Sequence, residues 1–404
     1  MAISREEQEG RLAGLLRELT AIPGPSGYED AIADLVSRCL EPYASSIAVD
    51  GLGNVVAKIR SGAPSDEEHR SWRLMIFAHM DEIGFVVRAI EPDGYLRIVR
   101  LGGVSETAMA SQRVLVRADA AATRAGAETR TGSSARSGET WVPGVIGTKS
   151  HHYVSPEEKH RVVPVENAYV DIGCETEEEV RNMGIHEGSP IVYSRSFMRN
   201  RSRVYANSLD NRGGLAVLLE AARIIAEQVP AARGQDGPEV WVVASVQEEF
   251  NVRGVVPAVG QVVPDIAICL DIAIACDTPD LRGYSRVALG HGPVLNYFSF
   301  HGRGTLGGLI PNPRLAAWIE KLAASKDISL QRNVFFGGLT DASFAQLMDK
   351  GIPMVDLAFP VRYTHSPVEE CDLRDLSGLV DLLVFMAAVQ EKPDLRRSVP
   401  RSAK

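Results

Sequence analysis

Cysteine is scarce in this chain. Five among 404 residues, an odd number with none in CxxC spacing, exclude a disulfide framework and a thiolate zinc knot. Cys39, Cys174, Cys269, Cys276 and Cys371 are therefore read as reduced, mostly packing residues. Long hydrophobic runs are missing too. Nothing approaches the ~18 apolar residues of a membrane-spanning helix, and the opening MAISREEQEGRLAGLLREL puts acids where a secretory signal is basic. No membrane span is expected, and a cytoplasmic location is. Basic charge is in deficit: the net charge is −9 with both signs mixed along the chain, so no stripe exists to track a nucleic-acid backbone. What remains is 45% apolar content, enough for a large core in two domains or in one domain with an insertion.

The apolar residues are grouped in a way that predicts an α/β fold. Residues 5–20 read as a helix. Ser26 and Glu29 form a capping-box pattern opening a second helix to about Leu40. Strands are expected at about 46–60 and 73–78, the latter (RLMIFA) apolar throughout, as in a strand covered on both faces. From Gly84 to Ser196 the texture changes to short alternating pieces such as FVVRAIE, YLRIVRL and SPIVYS, which predict a small all-β module inserted in the α/β domain. Within it, positions 119–140 lack Val, Ile, Leu, Met, Phe and Trp and are expected to form a mobile loop. After Arg199 the α/β pattern resumes with a helix over 211–228, the strands VWVVASV and IAICL, a helix near 312–325, a strand near 353–359 and a last helix over 373–391 capped by Asp372.

Five polar clusters stand at the ends of these apolar runs. His79 ends one strand, and a carboxylate two residues on, Asp81, can take its second ring N–H and fix the tautomer. Asp210 precedes a helix, where it is either an N-cap or a carboxylate bridging two divalent cations; Gly213 and Gly214 just beyond imply a close backbone approach. Glu248 and Glu249 follow VWVVASV. Adjacent side chains on extended backbone point apart, so Glu249 can bind metal while Glu248 takes a proton from a metal-activated water and returns it to the leaving group. Asp271 ends IAICL, whereas Asp277 in the turn DTPD reads as structural. His365 lies on the loop after the last strand, with Ser366 and Glu369 near it. Each residue alone has a structural reading, but all of them sit where open α/β sheets place their sites, outside the strand carboxyl ends. A His/Asp/Asp set and a His/Asp/Glu set sharing one Asp make two sites of nitrogen and oxygen donors, suited to zinc, with cobalt or manganese as substitutes.

The segments AHMDEIGF, SLDNRGG, VQEEFNVRG, LDIAIACDTPD, LTDAS and YTHSPVEECDL together resemble the dinuclear metal aminopeptidases that assemble as tetrahedral particles, a family also called glutamyl or deblocking aminopeptidases and sometimes endoglucanases. The likeness runs in order from about residue 10 to 390. It implies a zinc-exopeptidase-type α/β/α sandwich with a mixed sheet, formed by 1–83 and 197–404, and an inserted barrel-like β dimerisation domain over 84–196. It implies His79, Asp210 and Asp271 on one metal and Asp210, Glu249 and His365 on the other, with Asp210 bridging, Glu248 as general base and Asp81 orienting His79. The activity implied is hydrolysis of the N-terminal amide bond of small peptides by a homo-oligomer whose dimers build a dodecamer. The chain departs from the family at Cys276, at Leu339, in the lengthened 119–140 stretch and in the glycine-rich FSFHGRGTLGG, where His301, Arg303 and, more remotely, His291 are candidate contacts for an acidic substrate side chain. Two other enzyme readings stand beside this one. A deacylase for N-acyl amino acids or amino sugars would use the same metals; a glycosidase fits poorly with adjacent glutamates and four tryptophans. A non-catalytic shell protein would be expected to lack ligands.

Overall fold

The computed structural model describes residues 4–60, 71–119, 140–229, 237–302 and 307–397. Positions 120–139 of the expected mobile loop, and Arg303, lie outside that set. In chain order the helices are α1 (Arg5–Thr20), α2 (Asp30–Leu40), α3 (Glu177–Asn182), α4 (Leu209–Gln228), α5 (Val255–Val262), α6 (Pro313–Ser325), α7 (Ala342–Ala345) and α8 (Leu373–Ala388).

The strands of the main sheet are β1 (Ser46–Val49), β2 (Val55–Arg60), β3 (Arg73–His79), β12 (Glu239–Ser245), β13 (Ile266–Ile274), β14 (Val294–Phe300), β15 (Gln331–Phe336) and β16 (Met354–Val361). Those of the inserted module are β4 (Gly84–Ile90), β5 (Leu96–Leu101), β6 (Arg113–Ala118), β7 (Thr140–Ile146), β8 (Tyr169–Asp171) and β9 (Pro190–Tyr193). A small third sheet holds β10 (Phe197–Asn200), β11 (Arg203–Ala206) and β17 (Glu369–Asp372).

The main sheet runs β1-β2-β12-β3-β13-β16-β14-β15. Its centre, β12, β3, β13 and β16, is parallel, and antiparallel pairs flank it, so the sheet is mixed. The central strands are apolar because both faces are covered. On one side lie α1, α4 and α8 with Leu12, Leu16, Leu218, Leu376 and Leu383; on the other, α5 and α7 cover Met75, Phe77, Val243 and Met354. This is the α/β/α sandwich expected.

Local signals explain the covering helices. Ser4 accepts from the Glu7 N–H at the start of α1, and Asp372 caps α8 by accepting from the Arg374 N–H at 2.9 Å. The Ser26/Glu29 expectation fails: α2 begins at Asp30 with no side-chain cap. Ser26 instead donates to Asp81, and Glu29 accepts from the Gly27 and Gln247 N–H groups. Tertiary partners outbid the local cap because burial leaves those groups no water to bond.

The six strands β4-β5-β8-β7-β6-β9 close into an antiparallel barrel around its own core of Phe85, Val87, Leu96, Ile98, Val114, Val116 and Ile191. Closure removes free edges. The chain enters the barrel just after β3 and leaves it just before β10, and the two crossings are tied together: Arg195 donates to both Glu82 oxygens at 2.9 Å. Glu82 also accepts from Gly24 N–H and Ser208 Oγ, and lies 3.7 Å from the fully buried Arg212.

Candidate metal centre

Because β12, β3, β13 and β16 are parallel neighbours, their carboxyl ends open on one side, and the sequence clusters converge there. His79 is the last residue of β3, in line with Ser245 of β12. Asp271 stands on β13 opposite Ala358 of β16. Glu248 and Glu249 occupy the loop after β12, His365 the loop between β16 and β17, and Asp210 the first turn of α4, where its ψ of 103° is not helical.

Asp210 is the centre of the geometry. Its Oδ1 lies 3.2 Å from His79 Nε2 and its Oδ2 lies 3.4 Å from His365 Nε2. Glu249 Oε1 is 3.7 Å from that same His365 nitrogen, and Glu248 Oε2 is 4.0 Å from His79 Nε2. Two donor sets result, His79/Asp210/Asp271 and Asp210/Glu249/His365, each with its donor atoms within 4.8 Å of one another. Four of the five residues are almost wholly enclosed, and His365 is the most open, its side chain 36% exposed.

Asp81 is placed differently from a simple partner of His79. Its backbone carbonyl is 3.2 Å and its Oδ1 3.4 Å from His79 Nδ1. Its carboxylate also accepts from Ser26 Oγ at 2.6 Å and from the Glu248 and Glu249 N–H groups at 2.9 and 3.0 Å. One buried acid thus holds the imidazole and the glutamate loop together.

The electrostatics of the cluster are those of anions crowded in a dry site. Burial, reinforced by Asp210, pushes the Asp271 carboxyl well above the usual range; burial, with Asp271, Glu249 and Asp341 against the opposing field of His79, does the same to Glu248. Burial raises Glu249 to about 7. Asp210 behaves oppositely: burial would raise it, but its bonds to His365 and His79 outweigh that and pull it below the ordinary carboxylate value. Burial likewise opposes the charge on His365, yet Glu249 and Asp210 lift it to about 11. Enclosed carboxyls with a surplus of negative charge and two imidazoles at hand are the donor set a divalent cation of borderline softness satisfies.

A family model described as M42 glutamyl aminopeptidase matches residues 53–382. This chain belongs to the M42 family. It is a peptide-bond hydrolase of that aminopeptidase family, whose members depend on metal. SgcX of Escherichia coli (strain K12) is 39% identical over 365 residues, 90% of each chain. Aminopeptidase APDkam598 from the archaeon Desulfurococcus kamchatkensis superposes with a TM-score of 0.80 at 32% identity, covering 95% of this chain and 96% of its own. The Pyrococcus horikoshii TET1 peptidase, which can assemble into a tetrahedron or a large octahedral shell, gives 0.74 at 28% identity, with 93% and 99% covered.

Other residues single out differently in the M42 fold. Asp277 pairs with Arg362 through both oxygens and accepts from the Leu289 N–H, a structural role. The Gly213 and Gly214 positions are as close-packed as their sequence implied: a Cβ would fall 2.2 Å from the Phe359 ring or 2.1 Å from Asn211 Oδ1. His291 is exposed, its carbonyl accepting from Ser329 Oγ, and His301 follows β14; no contact joins either to the cluster among the described residues. Sequence reasoning left Glu369 as a neighbour only. It accepts from the N–H of His365 at 2.8 Å and of Asp210 at 2.9 Å, so one carboxyl positions a residue in each half of the cluster. Its signal was its place four residues beyond His365.

Proposed function

We propose that this protein is a dinuclear metal-dependent aminopeptidase acting on small peptides. The observation that carries the reading is Asp210, one carboxylate whose two oxygens face two different imidazoles. His79, Asp210 and Asp271 would hold one cation; Asp210, Glu249 and His365 the other, with zinc favoured and cobalt or manganese as substitutes. When bound, such a pair lowers the pKa of a water and polarises the scissile carbonyl. Glu248 is the general base: it is held beside His79, and burial raises its proton affinity, so it can accept the water's proton and return it to the departing amine. Asp81 positions the base by accepting the Glu248 and Glu249 N–H groups while steadying His79.

In this reading residues 1–83 and 197–404 make the catalytic domain and 84–196 a barrel through which copies dimerise, the dimers building a dodecameric particle. Support for self-assembly comes from the multimeric TET relatives. No helix among the described residues is long and apolar enough to cross a membrane, and all five cysteines are free thiols, in keeping with a cytoplasmic location.

The test is hydrolysis of a panel of aminoacyl chromogenic amides by zinc- or cobalt-loaded protein beside Glu248→Ala. Cleavage lost in the variant while both cations remain bound supports the reading. If the loaded protein cleaves no free-amine substrate but releases acyl groups from N-acyl compounds, it is a deacylase instead.

A further inference from the structure

The two imidazoles of the cluster are held by different parts of the molecule. His79 is buried, and its Nδ1 faces the carbonyl of Asp81 at the end of its own strand. His365 is the more exposed of the two, on a loop in left-handed backbone conformation (φ +61°). Its Nδ1 lies 2.7 Å from the carbonyl oxygen of Gly103, in the connection that leaves barrel strand β5. A second bond closes the joint: the Ser105 N–H donates to the His365 carbonyl at 3.1 Å.

We propose that the Gly102–Gly103 turn of the barrel is a positioning element of the metal centre, its Gly103 carbonyl fixing the His365 tautomer that offers Nε2 to a cation. This rests on the reading of His365 as a ligand. A carbonyl oxygen only accepts, so Nδ1 must carry the proton and the lone pair is left on Nε2, the nitrogen that faces Asp210 and Glu249. The turn has no room for side chains. A Cβ on Gly103 would stand 2.6 Å from His365 Nδ1 and 2.9 Å from Cε1. One on Gly102 would meet Ile83 at 2.8 Å and Glu249 Oε2 at 3.1 Å, and Gly102 has a φ of +84°, which disfavours any residue with a Cβ. Two adjacent glycines thus let the barrel backbone pass directly against both residues that complete the outer half of the centre.

Calorimetric titration of the metal-stripped full chain with Zn²⁺, and with Co²⁺ followed by its visible spectrum, tests this. Gly103→Ala should weaken one of two cation-binding steps by 10- to 100-fold, on the scale of lost outer-shell support for a metal-bound histidine. The affected step should be the one His365→Ala removes, with the other step intact. Gly173→Ala is the control: this glycine just after β8 carries the added strain of a positive φ (+80°), which Gly103 lacks, but has nothing within 4 Å of its Cβ position; it should bind both cations as the parent does. Ser105→Pro deletes the N–H without backbone strain, because the Ser105 φ of −75° fits the proline ring, and should weaken the same step by a smaller factor; Ser105→Ala, which loses only the hydroxyl that meets Thr107 Oγ1, should bind as the parent does. Gly103→Ala binding both cations with parental affinity and spectrum overturns the proposal. Should that variant fail to fold, parental binding by Ser105→Pro overturns it equally. Two intact steps in His365→Ala would sink the ligand reading itself, and this inference with it.

Discussion

Removing the cations should make this protein lose stability more steeply as pH rises from about 5 to about 8 than the loaded form does, since buried carboxyls outside the donor sets, such as Asp356 and Asp375, add the same slope to both. In the folded apo state the Glu369 carboxyl is pushed up from 4.5 to about 8 by burial and the nearby Asp210 charge, and Glu249 to about 7. The unfolded chain ionises those groups near 4.5, so through the window it binds fewer protons than the folded state, and stability falls as pH increases. His365 adds to the same slope: raised from 6.5 to about 11, it keeps in the fold a proton that the unfolded chain has lost above neutrality. Asp210 has the opposite sign, but its contribution is lost only as pH falls below the ordinary Asp range, outside the window. Each such group contributes up to about 1.4 kcal/mol per pH unit, so Glu369 alone accounts for on the order of 3 kcal/mol between about pH 5 and about pH 8. Against a total of ~5–15 kcal/mol that is a readily measured change. Chelator-treated protein would be melted at stepped pH by circular dichroism with and without added Zn²⁺, and proton release on binding read by calorimetry in two buffers. An apo melting temperature that stays flat or climbs across the window would refute the assignment of protonated carboxyls to this cluster.

Three further outcomes follow from particular contacts. Asp81→Asn places an amide where a carboxylate accepts from Ser26 Oγ and the Glu248 and Glu249 N–H groups, and kcat should fall by about 10- to 100-fold with weaker cation binding; parental kcat would rule out its positioning role. Gly213→Ala drives a Cβ to 2.2 Å from the Phe359 ring and should cost about 1–3 kcal/mol in urea unfolding, whereas an unchanged midpoint means the helix can shift. Arg195→Met removes the one guanidinium nitrogen that donates to both Glu82 oxygens in a buried site and should destabilise by about 3–5 kcal/mol, with Glu82→Gln added to it recovering part of the loss; no recovery would argue that packing, not charge, holds the joint.

Much of the sandwich was legible because its central strands are buried on both faces. RLMIFA, VWVVASV and IAICL can only be covered strands, and a polar residue at the end of such a run stands out. The His79, Asp210, Glu248, Glu249, Asp271 and His365 clusters were visible for that reason, and their order along the chain matches a family pattern. The outer strands β14 and β15 were harder to see, since Asn296 and Asn333, hydrogen-bonded to each other in the row, interrupt the apolar signal. Supports of the site were harder still. Ser26 and Glu29 satisfy a local capping rule, and only the fold shows that both are drawn to the Asp81 and Gln247 side. Gly103 has no local signal whatever, because its importance lies in what a side chain there would strike.

The parallel centre of the sheet also sets an order of events during synthesis. β3 is made early, but its neighbours in space are β12 and β13, separated from it in sequence by the entire barrel, and β16 arrives later still. A nascent chain therefore carries His79 through the making of the barrel with only its near neighbour Asp81 beside it among the cluster residues, and the His365 loop emerges only ahead of β17 and α8. Ribosomal products that end before β16 possess one imidazole and most of the carboxylates yet cannot close the cluster. The complete donor set thus exists only in a polypeptide that has both docked β16 and extended past it to His365.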